Sequence, residues 1–205
     1  MDVFLFPLVN VTLFPKTTKP LNIFESRYIE MVRDSVATQT PIAIGFIEDP
    51  AKVYNVKPGD KIDFVRDVVG YGIPQIIEER SNGTLLVFIQ GQGKARLGRV
   101  KASTTSYIVC EAEILSENVE VDQDLKTSIH SLNKILARWI QTHIPDQAQR
   151  EIFMRNMNGP EEIIGAFATY LIRDYDLQQM ALEFDDINKK IKFLYRLAES
   201  NEITA

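Results

Sequence analysis

The chain has 205 residues, 45% of them hydrophobic and 25% charged, with a net charge of -5 and a mean hydropathy of -0.10. A chain of this size buries roughly 70% of its unfolded surface and needs no metal or disulfide staple, with room for one or two domains. The acidic balance gives no general attraction to phosphate backbones, the single cysteine, Cys110, excludes an internal disulfide, and no apolar run approaches the ~20 residues that span a bilayer.

The amino terminus opens Met-Asp with no basic stretch and no small-residue cleavage site, so neither export nor anchoring is signalled and a cytoplasmic location is expected. Charge is uneven. Residues 1–115 carry 13 Lys/Arg and 13 Asp/Glu, whereas 116–205 carry 10 and 15, so the net charge belongs to the second part.

Residues 3–8, 42–47, 62–72, 76–79, 85–90 and 107–115 are short, β-branched or aromatic runs bounded by turn residues, and each predicts a strand. Asn82-Gly83 predicts a type I′ hairpin, and Lys57-Pro-Gly-Asp60 a proline-glycine turn. Many short antiparallel strands imply a small closed or semi-closed barrel. One helix interrupts them, with Asn22 as its expected cap, Glu25 three residues on, and Phe24, Tyr28, Met31, Val32 and Ser35/Val36 on one stripe. In 107–115, Cys110 alternates with polar positions, which places its sulfur on the apolar face of a strand as a structural thiol.

The acidic segment 116–124 is too polar to carry a core, and after it the period becomes helical. Leu125, Ile129, Leu132, Ile135/Leu136, Trp139, Ile140 and His143 recur every three or four residues until Pro145. A second helix is expected over about 147–157, a third from Pro160 with Ile163, Ile164, Phe167, Ala168, Leu171 and Ile172 inward, and a last one after Asp185/Asp186. Lys189, Lys190, Lys192 and Arg196 are expected on the solvated face of that last helix. The division is therefore a β-barrel domain over 1–116 and an α-helical domain over 122–205.

Chemistry finds no constellation. His130 and His143 are thirteen residues apart on one helix, about 220° round its axis, and cannot share a metal. The glycines of 91–98 match neither phosphate-binding spacing and read as a bend between strands. Glu78/Glu79 and Glu161/Glu162 are adjacent pairs, which strand alternation or helix-dipole complementarity explains without general acid-base work. No metal, cofactor or catalytic residue is expected.

Phe4-Leu-Phe-Pro-Leu8, Val11-Thr-Leu-Phe-Pro15, Pro20-Leu-Asn-Ile-Phe-Glu-Ser-Arg-Tyr28 and Met31-Val32 closely resemble the signature at the start of the Lon protease amino-terminal (substrate-binding) domain family, in particular its stand-alone bacterial members. The resemblance continues through Val69-Gly70, Asn82-Gly83 and Gly91, and in the second half through Pro160-Glu-Glu-Ile-Ile164 and the last amphipathic helix. Two residues depart from the family pattern. Lys16 stands where glycine usually follows Phe-Pro, and Lys94 near a position often held by arginine. The resemblance implies an α+β fold, a PUA-like β pseudo-barrel with one packed helix followed by an α-helical bundle. It also implies a non-catalytic module that recognises unfolded or specific polypeptide segments. The ATPase and peptidase motifs that follow this module in full-length Lon proteases do not occur in these 205 residues, so neither activity is expected of them.

Proline fixes φ and restrains the residue before it, so Phe14-Pro15 and Pro20-Leu21 should hold an extended path. On that path Phe14, Pro15, Pro20, Leu21, Phe24 and Tyr28 are the candidate peptide-binding residues, lining an apolar groove for a polypeptide segment or client protein. The alternative is RNA binding through the basic segment 94–101, with Lys94, Arg96, Arg99 and Lys101 as its residues, although no aromatics are interleaved for stacking. The expected partners are thus polypeptides, with no membrane, with nucleic acid disfavoured, and with weak self-association allowed.

Overall fold

The computed structural model describes residues 1–47 and 56–200. The chain divides into two compact units, Met1–Leu115 and Ser116–Ala205. The last five residues of the expected helical domain lie outside the described residues.

In the first unit the elements in chain order are β1 (Asp2–Leu8), β2 (Thr18–Ile23), α1 (Ser26–Thr38), β3 (Ile42–Phe46), β4 (Val68–Gly72), β5 (Pro74–Glu79), β6 (Leu85–Gln90), β7 (Gly93–Val100) and β8 (Ile108–Leu115). Five strands close a barrel in the order β1-β3-β4-β7-β8, and β2-β6-β5 form a separate three-stranded sheet. β1 runs parallel to β3 and antiparallel to β8. The expected mixture of a barrel, one packed helix and a helical part is present.

The run Val3-Phe4-Leu5-Phe6 is apolar throughout because both faces of β1 are covered. Val3 and Leu5 point into the barrel with Ala43, Val69, Ala95, Leu97 and Cys110. Phe4 and Phe6 point the other way, into a second core made with Leu13, Ile23, Tyr28, Met31, Val32, Leu85, Val87 and Ile89. That second core is the layer between the barrel, the three-stranded sheet and α1. Burial and the nearby Asp2 carboxylate push the Cys110 thiol up to about 12, in keeping with an inert packing role.

Three local readings are corrected. Asn22 does not cap α1; it lies in β2 opposite Leu86, and the helix begins after Glu25. Phe24 therefore leaves the helical stripe, whose buried members are Tyr28, Met31, Val32 and Ser35. Pairing along 18–23 with a strand more than sixty residues away outweighs a capping signal worth about 1 kcal/mol. The glycine-rich segment 91–98 is not a bend, because β7 starts at Gly93 and pairs with both β4 and β8. The 62–72 strand is confined to Val68–Gly72, with only isolated bridges at Lys61 and Val65.

The hairpin joining β5 to β6 also differs in detail. Gly83 alone has positive φ (82°), its N–H donates to the Arg80 carbonyl, and Arg80 donates to the Thr84 carbonyl. This is a three-residue loop with glycine in the left-handed position, not a two-residue type I′ turn. At Lys57-Pro-Gly-Asp60 the turn forms as expected, with Gly59 at φ 91° and Asp60 N–H donating to the Lys57 carbonyl.

Between β1 and β2 the leader 9–17 is held by two glycines, Gly70 on β4 and Gly91 between β6 and β7. A Cβ on Gly70 would collide with the Leu13 carbonyl oxygen, and one on Gly91 with that of Phe14. The backbone is tied where it passes, with Lys16 N–H donating to the Gly91 carbonyl and Gly91 N–H to the Thr17 carbonyl, both at 2.8 Å. Thr17 Oγ1 donates to the Phe14 carbonyl at 2.7 Å. Lys16 takes φ 63° to do this, so the left-handed turn survives without glycine.

α1 is fastened to the barrel by the Tyr107 hydroxyl, which donates to Asp34 at 2.8 Å, and by Ser106, which donates to Glu30 at 2.6 Å. Burial chiefly, then the Asp34 hydrogen bond, raises the Tyr107 phenol above its ordinary value.

The second unit holds a short 3₁₀ turn at Gln123–Leu125, then α2 (Lys126–His143), α3 (Gln147–Arg155), α4 (Pro160–Leu171), α5 (Tyr175–Glu183) and α6 (Ile187–Glu199). Pro160 occupies the first turn of α4, and Asp146, Asp174 and Asp186 cap α3, α5 and α6 through their carboxylates. Leu132, Leu136 and Ile140 of α2, Phe167 and Leu171 of α4, and Ile191 and Leu194 of α6 are buried, as their spacing requires. α5 has no counterpart in the sequence reading. Lys190 corrects another expectation: it is buried and bonded to Glu117 at 2.6 Å. The acidic segment is likewise fixed in place, with Asn118 N–H donating to the Asp185 carbonyl and Asn188 donating to that of Glu120.

Gly70→Ala and Gly91→Ala should each lower the unfolding free energy by at least about 2 kcal/mol in denaturant titrations, since backbone rather than a side chain must give way. By contrast, Lys16→Gly should raise it by up to ~1 kcal/mol, because the same φ becomes free of strain. The Tyr107 contribution runs with pH as follows: a raised folded-state value makes its stabilisation complete below the unfolded phenol value, about 10, and lost as pH climbs through the higher folded one. Thermal midpoints should therefore fall more steeply above about pH 10 in the parent protein than in Tyr107→Phe.

Candidate polypeptide-binding surface

Among the described residues β2 is an edge strand, with β6 as its single neighbour in the sheet order. Thr18, Pro20 and Asn22 stand opposite Gln90, Phe88 and Leu86. Directly opposed residues share a face, and the alternation in β6 decides which: Leu85, Val87 and Ile89 are fully buried, while Phe88 is 37% exposed. Pro20, Leu86 and Phe88 therefore lie on the outer face of this sheet. Phe24, one residue past the end of β2, is 72% exposed. On the far side of β6, an irregularity between Ile76 and Glu78 in β5 leaves Ile76 and Ile77 exposed as well.

The hydrogen-bond phase of β2 follows from its start. Gly91 N–H donates to the Thr17 carbonyl, so by the two-residue alternation of a ladder residues 19, 21 and 23 address β6 and residues 18, 20 and 22 face the open edge. Pro20, with no N–H, sits where that loss breaks no bond within the sheet. The open edge offers carbonyls at 18, 20 and 22 but amides at 18 and 22 only.

The six candidate residues separate by burial. Phe14 is 1% exposed and Tyr28 8% exposed, both in the interior. Tyr28 packs on Phe6 with ring centroids 4.4 Å apart and has the Arg27 guanidinium over its ring at 4.7 Å. Pro15 and Leu21 are half-buried, Leu21 on the inner face opposite Val87. Pro20 and Phe24 are exposed. The surface thus brings together Pro20 and Phe24 with Leu86, Phe88 and Ile77, three residues that sequence reasoning passed over. The signal for two of them was present: the unbroken apolar run 85–89 makes both faces of β6 apolar, and a strand at the surface can hide one.

The basic segment is placed differently from a phosphate-binding stripe. Lys94 is buried at 2% exposure. Arg96 lies 3.7 Å from Asp67, Arg99 donates to the Gly59 carbonyl at 2.6 Å, and Lys101 is paired with Asp2 at 2.7 Å. Among the described residues no group of three or more His, Cys, Asp or Glu side chains is placed to hold a metal ion, and no helix is long and apolar enough to cross a membrane.

Residues 2–200 match the family profile described as the ATP-dependent protease La (LON) substrate-binding domain. Among individual proteins, the Lon protease of Buchnera aphidicola subsp. Acyrthosiphon pisum (strain APS) is 20% identical over 196 residues, which is 95% of this chain and 24% of that protein. The chain therefore spans about a quarter of this curated relative's length. Two solved structures share the fold at low identity. The Lon N-terminal domain protein from Xanthomonas campestris has a TM-score of 0.68 at 17% identity and covers 96% of this chain and 98% of its own. The N-terminal domain of the Mycobacterium avium complex Lon protease has a TM-score of 0.70 at 13% identity, covering 97% and 98%. The chain belongs to the ATP-dependent protease La (LON) substrate-binding domain family.

Proposed function

We propose that this chain is a non-catalytic polypeptide-binding module, acting on unfolded or extended protein segments through the outer face of the β2-β6-β5 sheet. The observation that carries the reading is the exposed set Pro20, Phe24 and Phe88, with half-buried Leu86 on the same face, on a sheet whose central β6 residues Leu85, Val87 and Ile89 are buried on the opposite face. A rigid sheet presenting rings and a proline costs little conformational entropy on binding and gives an extended segment pockets at alternate side chains. The substrate-binding family agrees with this use.

The edge of β2 bears on the mode of binding. With an amide missing at Pro20, a segment laid along the edge finds an interrupted ladder, so side-chain contacts on the sheet face carry most of the affinity. Phe14 and Tyr28 act from inside: they hold the leader and α1 in place and do not meet the ligand. The two histidines stand apart on α2 and the one thiol is enclosed, which favours a non-catalytic role. The cytoplasm is the compartment proposed, consistent with a single unpaired cysteine.

The test uses a reduced, alkylated and hence permanently unfolded protein as the probe. Phe24→Ser combined with Phe88→Ser should weaken its binding at least about tenfold, or ~1.4 kcal/mol, while leaving the thermal midpoint within a few degrees of the parent because both rings are exposed. Equal affinity in parent and variant would remove this face from the proposal, and no binding by the parent would remove polypeptide recognition with it.

A further inference from the structure

The second unit carries a surface of a different kind. Residues 126–155, which make α2 and α3, hold five cations (Lys126, Lys134, Arg138, Arg150 and Arg155) and two acids, although the unit as a whole has 10 and 15. Both acids are engaged locally: Asp146 caps α3 by accepting from Gln149 N–H at 2.7 Å, and Glu151 accepts from Gln147 at 3.0 Å. Among the described residues none of the five cations is paired with a carboxylate, whereas Lys189 and Lys190 in the same unit each have one. Lys134 and Arg138 stand four residues apart on α2, one turn above the other and both exposed.

The same helices share an aromatic cluster with α4. Trp139 stacks with His143 (centroids 4.6 Å, 11°) and with Tyr170 of α4 (5.4 Å), and Phe153 of α3 meets Tyr170 edge-on at 5.3 Å. α3 has no buried residue, and Ile152 and Met154 on either side of Phe153 are 58% and 41% exposed. A nine-residue helix that half-buries Phe153 yet shows an isoleucine and a methionine to solvent is a poor end state for apolar surface.

We infer that α2, α3 and the exposed edge of α4 form a second docking surface, and that its occupant is a polypeptide segment of another protein carrying both apolar and acidic side chains. Charge complementarity decides the occupant: on α3 Arg150 and Arg155 stand one turn from Met154 and Ile152, exposed Lys134 and Arg138 add charge on α2, and this set matches a segment whose acids flank its hydrophobic anchors. A second copy of this chain offers Ile76, Ile77, Glu78 and Glu79 of β5, so concentration-dependent dimerisation abolished by Lys134→Glu/Arg138→Glu would overturn the assignment to another protein. Single-stranded RNA would use the cations, but the indole already stacks on two rings, and exposed isoleucine and methionine give a base nothing to stack on. The inference is independent of the sheet surface in the first unit.

Trp139 is the chain's one tryptophan, so its fluorescence reports on this patch directly. A short synthetic peptide of Leu, Phe and Glu should change that emission saturably and bind more weakly as salt rises. The same peptide with Lys for Glu should bind at least about tenfold more weakly, as should the parent peptide to Lys134→Glu/Arg138→Glu, two exposed changes checked for fold by circular dichroism. Phe24→Ser/Phe88→Ser should leave this binding intact, which separates it from the sheet surface. Equal affinity for the Glu and Lys peptides, an unaffected charge-reversed variant, or stronger binding of an oligouridylate than of the acidic peptide would each overturn the inference.

Discussion

Where the leader crosses the barrel, its backbone passes so close to two glycines that a methyl group at Gly70 or Gly91 would occupy the space of the Leu13 or Phe14 carbonyl oxygen. Much follows from that contact. It seats Leu13 and Phe14 in the interior, delivers the chain into β2 in one register with β6, and so puts Pro20 opposite Phe88 on the outer face while Ile23 turns inward. It also determines where α1 starts, because β2 must finish at Ile23 before the chain can turn, leaving Phe24 outside. The exposed apolar face is thus a by-product of how the interior is closed, and its rigidity comes from the same source.

Lys16 shows how strongly that arrangement dominates local preference. A lysine at φ 63° is disfavoured by its own Cβ, yet the turn keeps the geometry that glycine would adopt, held by backbone bonds to Gly91 on one side and the Thr17 hydroxyl on the other. A cost of order 1 kcal/mol is small beside a core built from a dozen large apolar side chains. Lys190 and Glu117 repeat the lesson in the helical unit, where an apparently solvated lysine and an apparently loose acidic segment are joined in one buried pair.

How far the sequence could be read depended on whether the deciding partner was near or far. β6 was legible to its ends, and α2, α4 and α6 were legible from their apolar spacing, since each pattern is local. β2 was not, because Asn22 and Glu25 form a plausible helix start by themselves and only the distant β6 makes them strand and turn. β7 was hidden by glycines that look like bends until the crowding around Gly91 and Gly93 is seen. α5 was hidden by Gln178 and Gln179, polar residues occupying buried positions and erasing the expected period. Within the candidate surface, Pro20 and Phe24 could be picked from the leader, but separating them from Phe14 and Tyr28 needed the register, as did finding Phe88. Composition cannot say which of two apolar faces is left uncovered.

A protein with uncovered rings beside an unpaired strand edge runs a particular risk in a crowded solution: two copies could stack edge to edge and nucleate a growing fibre. The absent amide at Pro20 interrupts such a self-templated ladder every time it tries to form, while leaving the adjoining face untouched. One imino acid thereby removes a donor from the open edge without altering the face on which Phe88 stands.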